Sequence, residues 1–264
     1  MHSKLYVTKP AERLKKIAVV LMAAALFAAA ANMLELDISK FIGRLSNAGK
    51  VLRRLAALNL SGIPDILSGM LVSVSIAVAA LAAGCVISLV LAFLAAKNIA
   101  PSRVLSAVIK GVTAVIRAVP ALVWILMVVA STGFGSTGGV MGMMFPTVGY
   151  LTKSFISSIE EAGSHTIEAM RATGAGWLNI AVKGLLPGLT APFIAWTAIR
   201  TEGNIAESIN LGMVGVAGVG NMLMRAIGTY DYASTSTIIL VIFFTLVIVE
   251  LLVNKLKKAI NTAS

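Results

Sequence analysis

Acidic residues are scarce in this chain. Eleven Asp and Glu stand against 22 Lys and Arg in 264 residues, and the four charged types together make up only 12%. A soluble domain carries about 25%, so there is too little charge here to coat a water-soluble globule. With 58% hydrophobic residues and a mean hydropathy of +0.92, the surface has to be solvated by lipid. The sequence is that of an integral membrane protein. One cysteine, Cys85, excludes an internal disulfide. His165 and Glu168 share a helix turn, but two isolated donors do not make a metal site. No nucleophile has a base beside it in the sequence, so an intramembrane enzyme lacks its machinery. Aromatics are only 6% of the chain and interleave with no basic stripe, so the net charge of +11 is not a nucleic-acid footprint.

Long apolar runs are what the sequence has in abundance. A bilayer core takes about 20 residues of helix, and six runs qualify as spans: 17–33, 66–96, 112–130, 140–159, 185–210 and 235–253. The second is longer than needed and must tilt or emerge. The first follows a basic stretch, as a signal peptide would, but it is too long for a usual signal core and reads as a retained span. Lys4, Lys9, Arg13, Lys15 and Lys16 precede it. Lys97, Arg103, Lys110 and Arg117 lie between the second span and the middle of the third, and Lys255, Lys257 and Lys258 follow the sixth. The positive-inside bias then places both termini in the cytoplasm, with the 97–111 and 160–184 loops on the same side. No internal repeat or low-complexity linker interrupts the chain, so one transmembrane domain is expected over 1–264, with 1–60 as an N-terminal span plus surface helix and 61–258 as the core bundle.

ISKFIGRLSNAGKVLRRLAALNL, residues 38–60, is external in this topology yet carries five basic residues. Phe41, Ile42, Leu45, Ala48, Leu52 and Leu55 recur at helical spacing with the charges between them, the pattern of an amphipathic helix lying in the interface. It serves either as an anchor on anionic headgroups or as a guide for an anionic solute. Within it, GRLSNAGK (43–50) imitates a phosphate loop, but five residues separate its glycines instead of four, and Val51 stands where Ser or Thr must hold magnesium. GMVGVAGVG (212–220) has the wrong spacing for a dinucleotide fingerprint and follows no strand pattern. The chain has no visible machinery for hydrolysing nucleotides.

FISSIEEAGSHTIEAMRAT (155–173) reads as a helix that leaves the membrane and turns along its surface, with Gly174 as its stop. Glu160, Glu161 and Glu168 are unusual on an otherwise basic face, and Ala162, Gly163, Ala169, Ala172 and Ala175 are small. Carboxylates can pair with basic groups of a partner, while small side chains let its backbone approach. A solvated loop needs neither. The spacing Glu168-Ala169-Met170, three residues, Gly174, nine residues, Gly184-Leu185-Leu186-Pro187 resembles the EAA motif of ABC importer permeases: Glu-Ala-Ala, three residues, Gly, nine residues, Ile-x-Leu-Pro. Met170 and Gly184 are its departures. KNIAPSRVL (97–105), IRAVPALVWILMVV (116–129), SIEEAGSHTIEAMRATGAGW (158–177) and EGNIAESINLGMVGVAGVG (202–220) are similar, in order, to segments of the phosphonate-importer permeases over roughly 60–255.

That resemblance implies an all-α membrane protein of the type I ABC importer permease fold, with about six transmembrane helices, a cytoplasmic coupling helix and the external amphipathic helix. It implies coupling through Glu160, Glu161, Glu168, Ala169, Gly174 and Pro187 to separate ATPase subunits, which bind the ATP and magnesium; this chain itself has no cofactor. It further implies a substrate-binding protein outside, a second permease copy or a paralogue, and a phosphonate or related organophosphorus anion as solute. Permeases for phosphite, phosphate or methionine-like solutes are the nearest alternatives; an ungated channel would need no ATPase. The family commonly has Arg where Ala206 stands and Glu where Ala121 stands.

IRTEGNIAESIN (199–210) is too polar to face lipid, and ionisable groups within spans normally face a bundle interior or a wet cavity. Arg200 and Asn204 are one turn apart and Glu207 follows. Either the stripe lines the path, or Arg200 pairs with a carboxylate for packing. For an anionic solute Arg200 and Asn204 are the first candidates and Lys153 the third, with Glu202 and Glu207 assigned to pairing and gating. Gly215, Gly218 and Gly220 suit either an external gate or close helix packing.

Overall fold

The computed structural model describes residues 10–34 and 38–263; Lys4 and Lys9 of the basic stretch lie outside them. Two compact units emerge, residues 1–53 and 54–264. In the first, α1 (Pro10–Met33) is an apolar helix with its surface exposed along most of its length. α2 (Ile38–Leu55), which runs into the second unit, is strongly amphipathic, as the spacing of its apolar residues requires.

The second unit consists of helices joined by short turns among its described residues. α3 (Ile63–Ala95) opens with a proline in its first turn, where the missing N–H is harmless. α4 (Arg103–Ala118) and α5 (Ala121–Thr132) are separated by Val119-Pro120 and bent by 93°. The proline has no N–H to continue the ladder and forces Val119 out of the helical region. The third span expected over 112–130 is therefore broken in its middle. α6 (Ser136–Glu161) packs against α3, α4, α5 and α9, and α9 (Leu186–Asn210) packs against α11 (Tyr232–Ala263). The short α7 (His165–Ala172), α8 (Trp177–Asn179) and a π-helical turn, Ile180–Leu185, lead into α9. After α9, a 3₁₀ turn, Leu211–Val214, leads to α10 (Val219–Gly228).

Among the described residues four helical stretches are long and apolar enough to cross a membrane, or five if the bent α4–α5 pair is one span. Six were expected, and the difference falls on α6. Its length is sufficient, but its glycines, hydroxyls and late charges lower its hydropathy. It is an interior helix whose small residues admit its neighbours. A Cβ at Gly142 would lie 2.9 Å from Ile125 Cα, one at Gly149 would lie 2.7 Å from Ile116, and one at Gly84 of α3 would lie 2.6 Å from Thr147. Close contact of this kind drives association where lipid removes the hydrophobic incentive.

Two apolar clusters fill this unit. One gathers Ile99, Phe155, Ile159, Ile167, Ile180 and Leu189; the other gathers Ile66, Met70, Met143, Leu211, Val216 and Val219. Along α6 and α9 a polar layer at Thr147, Arg200 and Asn204 falls between them. α9 has 25 residues, about 37 Å, with the α7–α8 segment at its start and the glycine-rich turn at its end.

Candidate functional site

The α6–α9 connection is a braced platform. α6 does not run unbroken to Thr173: it ends at Glu161, and Gly163 turns the chain at φ +78° before α7 begins. α7 ends in a Schellman motif. Gly174 adopts φ +77°, its N–H bonds to Arg171 O at 2.9 Å, and the Ala175 N–H reaches Met170 O at 3.0 Å. A β-carbon would strain that conformation, which is why a glycine is needed at the stop. Ile167, 1% exposed, fixes α7 to the apolar cluster, while Trp177 Nε1 donates to Ile99 O at 2.8 Å and Asn98 Nδ2 donates to Ile159 O at 2.7 Å. Pro187 sits in the first turn of α9 without sacrificing a helical bond.

With Ile167 turned inward, Glu161, Glu168, Ala169 and Gly174 are exposed. Glu168 has no ion-pair partner among the described residues. Glu160 is placed differently from its expected surface role. Its carboxylate accepts from Lys110 Nζ at 2.7 Å and from the Lys97 N–H at 2.9 Å, so it ties α6 to α4 and to the α3–α4 turn. Partial burial pushes the Glu160 carboxyl up, but the hydrogen bonds from Lys110 and Lys97 and the charges of both outweigh that and hold it below its ordinary 4.5. The two departures from the motif pattern meet in space. A Cβ on Gly184 would collide with the Met170 sulfur, so the larger residue at one position occupies room left by the smaller at the other.

The polar layer is closed by its own charges. Arg200, 9% exposed, donates to both Glu207 oxygens, at 3.1 Å and 2.8 Å, two turns further along α9. Its guanidinium lies 3.5 Å from Thr147 Oγ1 and 5.7 Å from the Tyr150 ring centroid. Asn204, wholly buried, accepts from Thr147 and donates to Ala77 O at 3.3 Å. Glu202 faces Lys257 of α11 at 3.6 Å. Arg200 and Asn204 are thus brought together as expected, but within internal hydrogen bonds. Lys153 belongs to another group, a cleft with Lys110 and Arg117. Sequence reasoning treated Arg117 only as a topological charge; its seven-residue spacing from Lys110 was the available signal.

At the far end of α9 the glycines allow close packing and tight turns. Gly215 and Gly218 have φ of +80° and +136°. A Cβ on Gly212 would strike the backbone of Gly220, and one on Gly220 would strike the Ile209 carbonyl. Val219 N–H donates to Ser73 Oγ at 3.1 Å, fastening this turn to α3.

An interior polar layer, apolar outer helices and a braced platform at one end define a membrane transport subunit. Residues 88–262 match the binding-protein-dependent transport system inner membrane component family, and the chain belongs to it: it is a permease component of an ABC importer, a multi-pass inner membrane protein that works with ATPase, substrate-binding and permease partners. The phosphite transport system permease protein PtxC of Stutzerimonas stutzeri is 32% identical over 75% of this chain and 72% of its own length. The phosphate-import permease protein PhnE of Mycolicibacterium smegmatis is 30% identical over 70% of this chain but 35% of its own. In fold, a chain of the MetNI methionine ABC transporter superposes with a TM-score of 0.67 at 18% identity, covering 77% of this chain and 99% of that one.

Proposed function

We propose that this permease carries a phosphorus oxyanion, such as phosphite, phosphate or a phosphonate, inward across the cytoplasmic membrane. The observation that carries the reading is the similarity to the phosphite permease, which spans most of both chains. Both termini and α7 face the cytoplasm. α7 is the coupling helix; its Glu168, with Glu161 at the end of α6, is offered among small residues to a basic groove of an ATPase subunit, with Glu160 bracing the platform from behind. ATP binding there shifts the equilibrium between two arrangements of the helices by differential affinity. A binding protein delivers the solute to the opposite face, where the Gly215–Gly218–Gly220 turn acts as a gate. Two copies, or this chain and a paralogue, enclose the path.

In the state described, Arg200–Glu207 and Glu202–Lys257 hold the path shut, and Arg200 and Asn204 reach the solute only after these contacts open. Uptake by proteoliposomes holding the complete transporter tests the proposal, with phosphite, methylphosphonate, phosphate and methionine as solutes. Saturable, ATP-dependent uptake of one of the first three is the expected result. Uptake of methionine alone would refute it.

A further inference from the structure

Arg200 is the strongest sequence candidate for meeting an anion, yet Glu207 already occupies its guanidinium. The cations that lack a carboxylate lie elsewhere. Lys110, Thr113 and Arg117 form an i, i+3, i+7 stripe on α4, and with Lys153 of α6 they line one cleft of about 180 Å³. Lys110 is neutralised by Glu160. Arg117 and Lys153 are exposed and have no acidic partner among the described residues. Thr113 is 5% exposed. Its hydroxyl makes no hydrogen bond among the described residues, whereas Thr147, Thr197, Thr201 and Thr245 each donate to the carbonyl four residues back.

Depth separates this cleft from an ordinary loop charge. The stem of Arg117 passes Gly149, where a Cβ would lie 3.1 Å from Arg117 Cγ. Gly149 is the middle of α6 and stands about 18 Å from its Glu161 end, more than half of a ~30 Å hydrocarbon layer. An unneutralised cation rooted there is costly against lipid and normally faces water or a partner charge.

We propose that Arg117, Lys153 and Thr113 form an intermediate station for the phosphorus oxyanion on the cytoplasmic half of the path. This rests on the oxyanion reading above. The planar fork of Arg117 suits two oxygens of a tetrahedral anion, the Lys153 ammonium neutralises what charge remains, and the Thr113 hydroxyl donates to a third oxygen. A lipid headgroup phosphate has the same chemistry, but the root of Arg117 at mid-height favours the solute in transit.

The test is phosphite uptake by the complete transporter in vesicles of phosphatidylcholine alone and of phosphatidylcholine with phosphatidylglycerol. Arg117→Gln and Lys153→Gln should each lower maximal uptake about tenfold, and the half-saturating phosphite concentration, set by delivery at the outer face, should move less than twofold. Arg117→Lys should recover most of the loss. Thr113→Val, which keeps shape and packing, should cost about threefold. Phosphorus NMR should show phosphite line broadening by the purified wild-type complex and less by Arg117→Gln, which separates lost binding from lost folding. Arg103→Gln, nearer the start of α4, should change uptake less than twofold. Wild-type rates in Arg117→Gln and Lys153→Gln, equal broadening, or losses seen only with phosphatidylglycerol would overturn the station and leave the oxyanion reading standing. A wild-type complex that takes up no phosphorus oxyanion would overturn both.

Discussion

The two ends of the sequence stretch from Glu160 to Glu207 handle carboxylates in opposite ways. On α7, Glu168 stands exposed on a helix that is itself firmly anchored by Ile167 and the Gly174 stop. On α9, Glu207 is folded back on Arg200 inside the bundle. A rigid scaffold under a free charge suits recognition by another protein, because little order has to be gained on docking. A charge satisfied within its own helix suits a contact that must hold in one arrangement and release in another. The contrast supports the proposed division, with α7 serving a partner and the α9 layer serving the conformational cycle.

The sharpest way to break this comparison is to remove the partner inside the bundle. Glu207→Gln should cost about 3–5 kcal/mol, because it strands a buried guanidinium. Arg200→Met combined with Glu207→Leu should restore much of the stability, since an apolar replacement of both partners leaves no orphan charge. Thermal unfolding of the purified complex in detergent measures both. A Glu207→Gln protein as stable as wild type would show that Arg200 is already wet and the layer open.

Next in size is the swap on the platform. Gly184→Ile, which restores the family's residue, should cost about 1–3 kcal/mol by overpacking against Met170. Adding Met170→Ala should recover most of that loss. If the two changes are additive, the packing of α7 on the π-helical turn is not what links them.

That pair also marks the limit of what the sequence disclosed. Met170 and Gly184 were visible as separate departures from a motif, but their compensation depends on a turn of π-helix that no periodicity announces. The apolar runs gave α3, α9 and α11 because lipid exposure imposes a continuous signal. The run over 140–159 marked α6 more faintly, since a helix surrounded by other helices is selected for small residues and not for hydropathy. The α4–α5 bend was written in Val119-Pro120, yet the apolar run passes through it and hides it. Gly174 was legible because only backbone geometry determines that residue. The Arg200–Glu207 pairing stayed open because i, i+7 spacing allows contact without requiring it, and Glu160 escaped because its partners, Lys97 of the α3–α4 turn and Lys110 of α4, are 50 or more residues away in sequence.

Glu168 provides the test on the exposed side. Glu168→Lys should reduce ATP-driven uptake about tenfold, equivalent to ~1.4 kcal/mol of lost docking, while the thermal stability of the permease changes by less than about 0.5 kcal/mol. Pull-down of the ATPase by tagged permease, alongside uptake, checks both halves. Intact docking with this substitution would move recognition to Glu161 or off α7 altogether.

The smallest effect belongs to Glu160, which is intermediate between the two classes of carboxylate. Lys110 and the Lys97 N–H hold its carboxyl below 4.5 in the folded protein. A depressed folded value means the contact contributes its full stability above the unfolded value, and loses it as pH falls through the folded one. The contribution is that of a partly exposed pair, about 0.2–1 kcal/mol. Unfolding of the wild type should therefore be steeper in pH below about 4.5 than that of Glu160→Gln, and the two should run parallel above pH 6. Identical slopes below 4.5 would mean that the Asn98 bond and apolar packing hold the α3–α4 turn to α6 without Glu160. Glu160 would then rejoin Glu161 and Glu168 as a surface charge available to a partner.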